Sequence, residues 1–75
     1  MPSTTILDAR GLKCQMPIVK TAQQIKVVSR GDLLEVLATD HGSVADFAAW
    51  SRSTGNELVG QSVENGVYHF VLRRK

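Results

Sequence analysis

Apolar and polar residues follow two alternating periods along the chain, and their switches mark six elements. Thr5-Ile6-Leu7-Asp8-Ala9 has the composition of a short strand, and Gly11 permits a turn after it. Ile18, Ala22, Ile25 and Val28 then recur at helical spacing, with Lys20, Gln23, Gln24 and Lys26 on the other faces. Pro17 suits the first turn of that helix, where its missing N–H costs nothing. Gly31-Asp32 is expected to end it. Leu33-Leu34-Glu35-Val36-Leu37-Ala38 reads as a second strand. A second helix follows, with Val44, Phe47, Ala48 and Ser51 on one face and Trp50 at its margin. Asp40 or Ser43 is the expected cap, and Ser43 with Asp46 has the spacing of a capping box. Gly55-Asn56 stops this helix. Leu58 to Val63 forms a third strand, Glu64-Asn65-Gly66-Val67 a hairpin turn, and Tyr68, Phe70 and Leu72 alternate with His69, Val71 and Arg73 in a fourth strand.

The order β-α-β-α-β-β predicts an α/β (α+β) fold. Each helix has one apolar face and must bury it, so two helices pack on one face of a four-stranded mixed sheet, giving a two-layer α/β sandwich. The other sheet face stays partly open, with Leu37, Val67 and Val71 beside Glu35 and His69.

The 75 residues suffice for a single domain with one core, here residues 1–75. A hydrophobic fraction of 43% argues against disorder. No apolar stretch approaches the roughly 20 residues of a membrane span. Met1-Pro2-Ser3-Thr4-Thr5 has neither a basic segment nor an apolar core, so no export signal is expected. The single cysteine excludes a disulfide framework within the chain, and a reducing cytoplasm is the expected location. A net charge of +2 does not require nucleic acid but suits an acidic protein partner. Arg73-Arg74-Lys75 reads as a solubilising tail. His41 and His69 are too isolated to form a metal site with one cysteine. No metal or cofactor is expected.

Cys14 stands where the first helix is expected to begin, between Lys13 and Gln15-Met16-Pro17. Unpaired N–H groups and the positive end of a helix dipole favour thiolate, the reactive form of cysteine. Arg10, Lys13 and Lys20 add positive charge nearby in sequence. The run Leu7-Asp8-Ala9-Arg10-Gly11-Leu12-Lys13-Cys14-Gln15-Met16-Pro17 resembles the signature of the TusA-like (SirA-like) sulfur carrier proteins. Thr39-Asp40, Gly42-Ser43, Asp46-Phe47 and Trp50 are similar to that family's entry into its second helix, and Gly55-Asn56-Glu57-Leu58 and the closing hairpin also fit. The resemblance covers nearly the whole chain. It departs at two places: Gln15 stands where the family usually has proline after the cysteine, and His41 where it usually has proline after Thr-Asp.

The resemblance implies that Cys14 accepts sulfane sulfur as a persulfide and passes it on. Such a thiol must be exposed and free of a second thiol that could discharge it. The implied partners are a sulfur donor protein, a cysteine desulfurase or a rhodanese, and a sulfur acceptor protein. Arg10, Lys13, Gln15, Met16, Pro17 and Lys20 are the candidates for binding them or stabilising the thiolate. The chain then acts as a carrier within a sulfurtransferase relay, such as tRNA thiolation or sulfur oxidation, rather than as an enzyme with its own turnover. The alternative is a small nucleic-acid-binding or regulatory module without sulfur chemistry. Few aromatics and no Gly-x-x-Gly clamp loop count against it.

Overall fold

A computed structural model describes residues Ser3–Lys75; Met1 and Pro2, on which the reading of the N-terminal segment partly rested, lie outside the described residues. The elements run β1 (Thr4–Ala9), α1 (Met16–Gln24), a short 3-10 turn (Ile25–Val27), β2 (Leu33–Ala38), α2 (Ser43–Thr54), β3 (Glu57–Glu64) and β4 (Val67–Arg73). The sheet order is β1-β2-β4-β3. β1 and β2 are parallel, joined across α1, whereas β4 pairs antiparallel with both β2 and β3. The sheet is therefore mixed and carries both helices on one face, as the residue pattern predicts.

Strand alternation sorts the two faces. Leu34, Val36 and Ala38 of β2 and Phe70 and Leu72 of β4 are buried beneath the helices. Phe47 of α2 is fully buried, and its ring stacks on Phe70 at 4.4 Å between centroids. On the opposite face Glu35 and His69 pair at 2.9 Å among the half-buried Leu37, Val67 and Val71. Ile6 stands 64% exposed on the same face. The Asn65-Gly66 turn has φ of 51° and 78°, the pair of positive values that closes a tight hairpin. Gly55, at φ 80°, stops α2 as expected.

Three expectations need correction. The first helix does not run to Gly31: it ends at Gln24, tightens into the 3-10 turn, and Val28 is already extended. That change of pitch sends Val27 outward and Val28 into the core, at 76% and 3% exposure, which two adjacent valines on a continuing α-helix would achieve less sharply. Thr21 shares the buried face of α1 because its hydroxyl donates back to the Pro17 carbonyl at 2.8 Å. Among the described residues nothing caps the second helix by a side chain or partners the Ser43 hydroxyl; Gly42 occupies the cap position, and Ser43 is the first helical residue, buried. Arg73-Arg74-Lys75 is not a free tail. Arg73 pairs with Glu57 at 2.6 Å, the Arg74 guanidinium donates to the Lys26 and Val28 carbonyls, and the Lys75 N–H donates to Asn56. These contacts tie the end of β4 to the turn after α1 and to the start of β3.

Candidate functional site

Ala9 and Ala38 are partners in the parallel register, so β1 and β2 end at the same level. The segments that follow them, 10–15 and 39–42, leave the sheet side by side. Between them opens a cleft of about 390 Å³ lined by Gly11, Leu12, Lys13, Thr39, Asp40 and His41.

Cys14 is exposed. It lies one residue ahead of Gln15, the cap position of α1, and so stands just outside the helix rather than in its first turn. Its φ is 59°. Gln15 follows at φ −86°, ψ 2°, and the Met16 N–H donates to the Lys13 carbonyl at 3.2 Å. These values describe a β-turn of type II′ with Cys14 at its first central position, which glycine ordinarily takes. The turn explains what Gln15 changes. A proline at position 15 would hold the residue before it in the extended region. Gln15 lifts that restriction, and Cys14 adopts a positive φ.

The basic residues divide into two kinds. Arg10 clasps Asp8 through two side-chain bonds of 2.8 Å, and its N–H donates to the same carboxylate at 3.1 Å. These hydrogen bonds pull the Asp8 carboxyl from its usual 3.8 down to about 2, and Asp8 raises Arg10 in return. The charge of Arg10 is thus largely matched by Asp8, not by Asp40. Lys13 and Lys20 are exposed and make no ion pair among the described residues. Met16 and Val19, 43% and 41% exposed, add apolar surface at the start of α1. Gln15 is exposed as well. Pro17 is buried and packs the base of α1, so it shapes the loop without presenting a surface.

Two residues around the cleft were not singled out for this site by the sequence. Thr39 accepts a 2.9 Å hydrogen bond from the Gly11 N–H, and His41 Nδ1 bonds the Tyr68 hydroxyl at 2.8 Å. The place of His41 immediately after Thr-Asp was visible; its contact with a residue 27 positions away was not. Asp40 acts through its carbonyl, which accepts from the Ser43 N–H.

Chemically, the arrangement offers one accessible thiol on a constrained turn, with uncommitted ammonium groups and apolar surface beside it. A family model described as sulfurtransferase TusA matches residues 5–74. YrkF of Bacillus subtilis (strain 168) is 47% identical over 74 residues, covering 99% of this chain; the chain spans only 40% of that protein's length. The sulfur carrier protein TusA of Allochromatium vinosum is 44% identical over 68 residues, covering 91% of this chain and 90% of that protein. The sulfur carrier protein TusA of Pseudomonas aeruginosa (strain LESB58) is 37% identical over 70 residues, covering 93% and 89%. With the family model spanning nearly all the described residues, this chain belongs to the TusA family of sulfur carrier proteins.

Proposed function

We propose that residues 1–75 act as one sulfur carrier domain that holds sulfane sulfur as a persulfide on Cys14. The observation that carries this reading is the exposure of the only cysteine in the chain on a turn beside the first helix. In the loading step the Cys14 thiolate attacks the outer sulfur of a donor persulfide. A new S–S bond forms at Cys14 while the donor's S–S bond breaks. The donor leaves as its own thiolate and takes up the proton that Cys14 gave up. Sulfane sulfur changes hands with no net oxidation, so no redox cofactor enters. The onward step repeats the exchange toward an acceptor protein. With one cysteine in the chain, no internal thiol can discharge the persulfide as sulfide.

Lys13 and Lys20 supply the charge, and Gln15 and Met16 the contact surface, for donor and acceptor. Arg10 contributes by holding the end of β1 through Asp8. Pro17 fixes the helix start beneath them. The relatives' shared name supports the carrier role, while the donor, a cysteine desulfurase or a rhodanese, decides between tRNA thiolation and sulfur oxidation. The reading places the protein in the cytoplasm, where a lone thiol stays reduced; no helix of the described residues is long and apolar enough to cross a membrane.

The test exposes the reduced protein separately to a cysteine desulfurase with cysteine and to a rhodanese with thiosulfate. Loading by one donor, its loss in Cys14→Ser, and slower loading in Lys13→Glu are the expected results. Undiminished loading of Cys14→Ser would move the sulfur elsewhere. No loading from either donor, together with salt-sensitive RNA binding that ignores Cys14→Ser, would favour a binding module instead.

A further inference from the structure

The segment that carries Cys14 packs against the core through Leu12 and is otherwise held by few hydrogen bonds. Within it and its own flanks, the Leu12 N–H donates to the Ala9 carbonyl, the Met16 N–H to the Lys13 carbonyl, and the Val19 N–H to the Gln15 carbonyl. The Arg10 bonds go to Asp8, at the end of β1. Among the described residues, one hydrogen bond joins residues 10–15 to a part of the protein beyond their chain neighbours at 8–9 and 16–19. It is the 2.9 Å bond from the Gly11 N–H to Thr39 Oγ1.

Its geometry follows from the sheet. Thr39 comes immediately after Ala38, which is level with Ala9, so its hydroxyl lies across the gap between the two strand ends. Gly11 has φ 83°, and nothing lies within 4 Å of where a Cβ would stand. Glycine is needed there for the turn, not for space, and the turn gives Thr39 its donor. The far side is anchored in its turn. His41 Nδ1 bonds the Tyr68 hydroxyl of β4, and the Ser43 N–H donates to the Asp40 carbonyl. A continuous series of contacts therefore runs from β4 through the 39–42 loop to the Gly11 turn, which leads through Leu12 and Lys13 into the turn that holds Cys14.

We propose that Thr39 is a positioning residue for sulfur transfer: its hydroxyl oxygen holds the Gly11 turn, and with it the segment that leads to Cys14, against the sheet, so that the thiol meets the donor's outer sulfur in line. This rests on the carrier reading of Cys14. A hydrogen bond of this kind shifts the population of a held loop by roughly 2- to 10-fold. The effect belongs chiefly on the rate of transfer within the docked pair, because the substitution leaves the charges of Lys13 and Lys20 that draw the donor unaltered.

The test compares the wild type with Thr39→Val, which removes the acceptor at similar shape, and Thr39→Ser, which keeps it. Amide exchange at Gly11, followed by NMR, reads the bond itself. Single-turnover transfer from a rhodanese preloaded with thiosulfate reads its use. Thr39→Val is expected to speed Gly11 exchange and to slow saturated transfer by roughly 3- to 10-fold, with the half-saturating donor concentration unchanged. Thr39→Ser is expected to stay within about twofold of wild type on both. Thr39→Ala makes the same comparison if the valine variant does not fold. Unchanged Gly11 exchange in Thr39→Val would overturn the tether. Faster exchange with wild-type transfer, or a Thr39→Ser variant as slow as Thr39→Val, would overturn the positioning role. A wild type that accepts sulfur from neither a rhodanese nor a cysteine desulfurase, while Gly11 exchange responds as expected, would overturn the carrier reading and the positioning role with it; loading by the desulfurase alone moves the transfer comparison to that donor.

Discussion

Cys14 holds a backbone conformation that its side chain opposes, and that opposition is measurable. Its φ of 59° costs a residue with a Cβ about 1–2 kcal/mol relative to glycine. Replacing Cys14 by glycine removes this strain but loosens the unfolded chain, at a cost of about 0.4–1 kcal/mol. The net expectation for Cys14→Gly is a gain centred on about 0.8 kcal/mol, within about 0–1.6, over Cys14→Ser, which keeps the Cβ and lacks the thiol. In a protein of this size the gain corresponds to a rise of about 2–8 °C in melting temperature. Urea unfolding of the two thiol-free variants at neutral pH reads it directly. Lys13→Gly is the control. Lys13 has no positive φ, so glycine there only loosens the unfolded chain and lowers stability by about 0.4–1 kcal/mol. A Cys14→Gly variant that unfolds at lower urea than Cys14→Ser would refute the strained turn. The expected result means that the chain keeps a cysteine where glycine would fold better, as a residue retained for its chemistry would be.

Further outcomes follow from other parts of the structure. Gln15→Pro forces the residue before it toward the extended region, and is expected to destabilise the protein by about 1 kcal/mol in the same urea assay; unchanged stability would argue against the type II′ turn. Phe47→Ala opens a cavity against Phe70 and is expected to cost about 3–5 kcal/mol, read by circular dichroism during denaturation; a loss below about 1 kcal/mol would contradict the stacked core. The Asp8 carboxyl is expected to titrate near 2 by carbon-detected NMR, and to return toward 3.8 in Arg10→Ala. Since its native value lies below the unfolded one, the clasp favours the folded state above pH 3.8 and loses that contribution as pH falls toward 2. An unshifted Asp8 in the wild type would remove the clasp.

The parts of the fold that were legible in the sequence are those set by local period and turn chemistry. Alternation in Tyr68 to Arg73, the Asn65-Gly66 pair and the Gly55 stop each act within a few residues, and all are found where expected. The misreadings have tertiary causes. Val28 continues the helical spacing of Ile25, so the early end of α1 is invisible until the core decides which valine to bury. Ser43 has the identity of a cap, yet the chain places Gly42 at that position. Three consecutive basic residues read as solvated charge, whereas their partners Glu57, Val28 and Asn56 lie far away in sequence. At the site, Cys14 and the neighbouring Lys13 and Met16 were legible from motif and charge. The positive φ of Cys14 was not, because a positive φ at a non-glycine residue leaves no mark in composition, and the Gly11–Thr39 bond was not, because it depends on two strand ends lying side by side.

The proposed persulfide chemistry rests on one atom, the Cys14 sulfur, and the most direct test asks whether cargo is found there. The reduced protein is loaded by a donor, separated from it, alkylated and mapped by peptide mass spectrometry. The predicted result is one extra sulfur between Cys14 and the alkyl group, absent after treatment with a reducing thiol. A folded protein whose Cys14 peptide is alkylated fully, with no added sulfur from either donor, would contradict it.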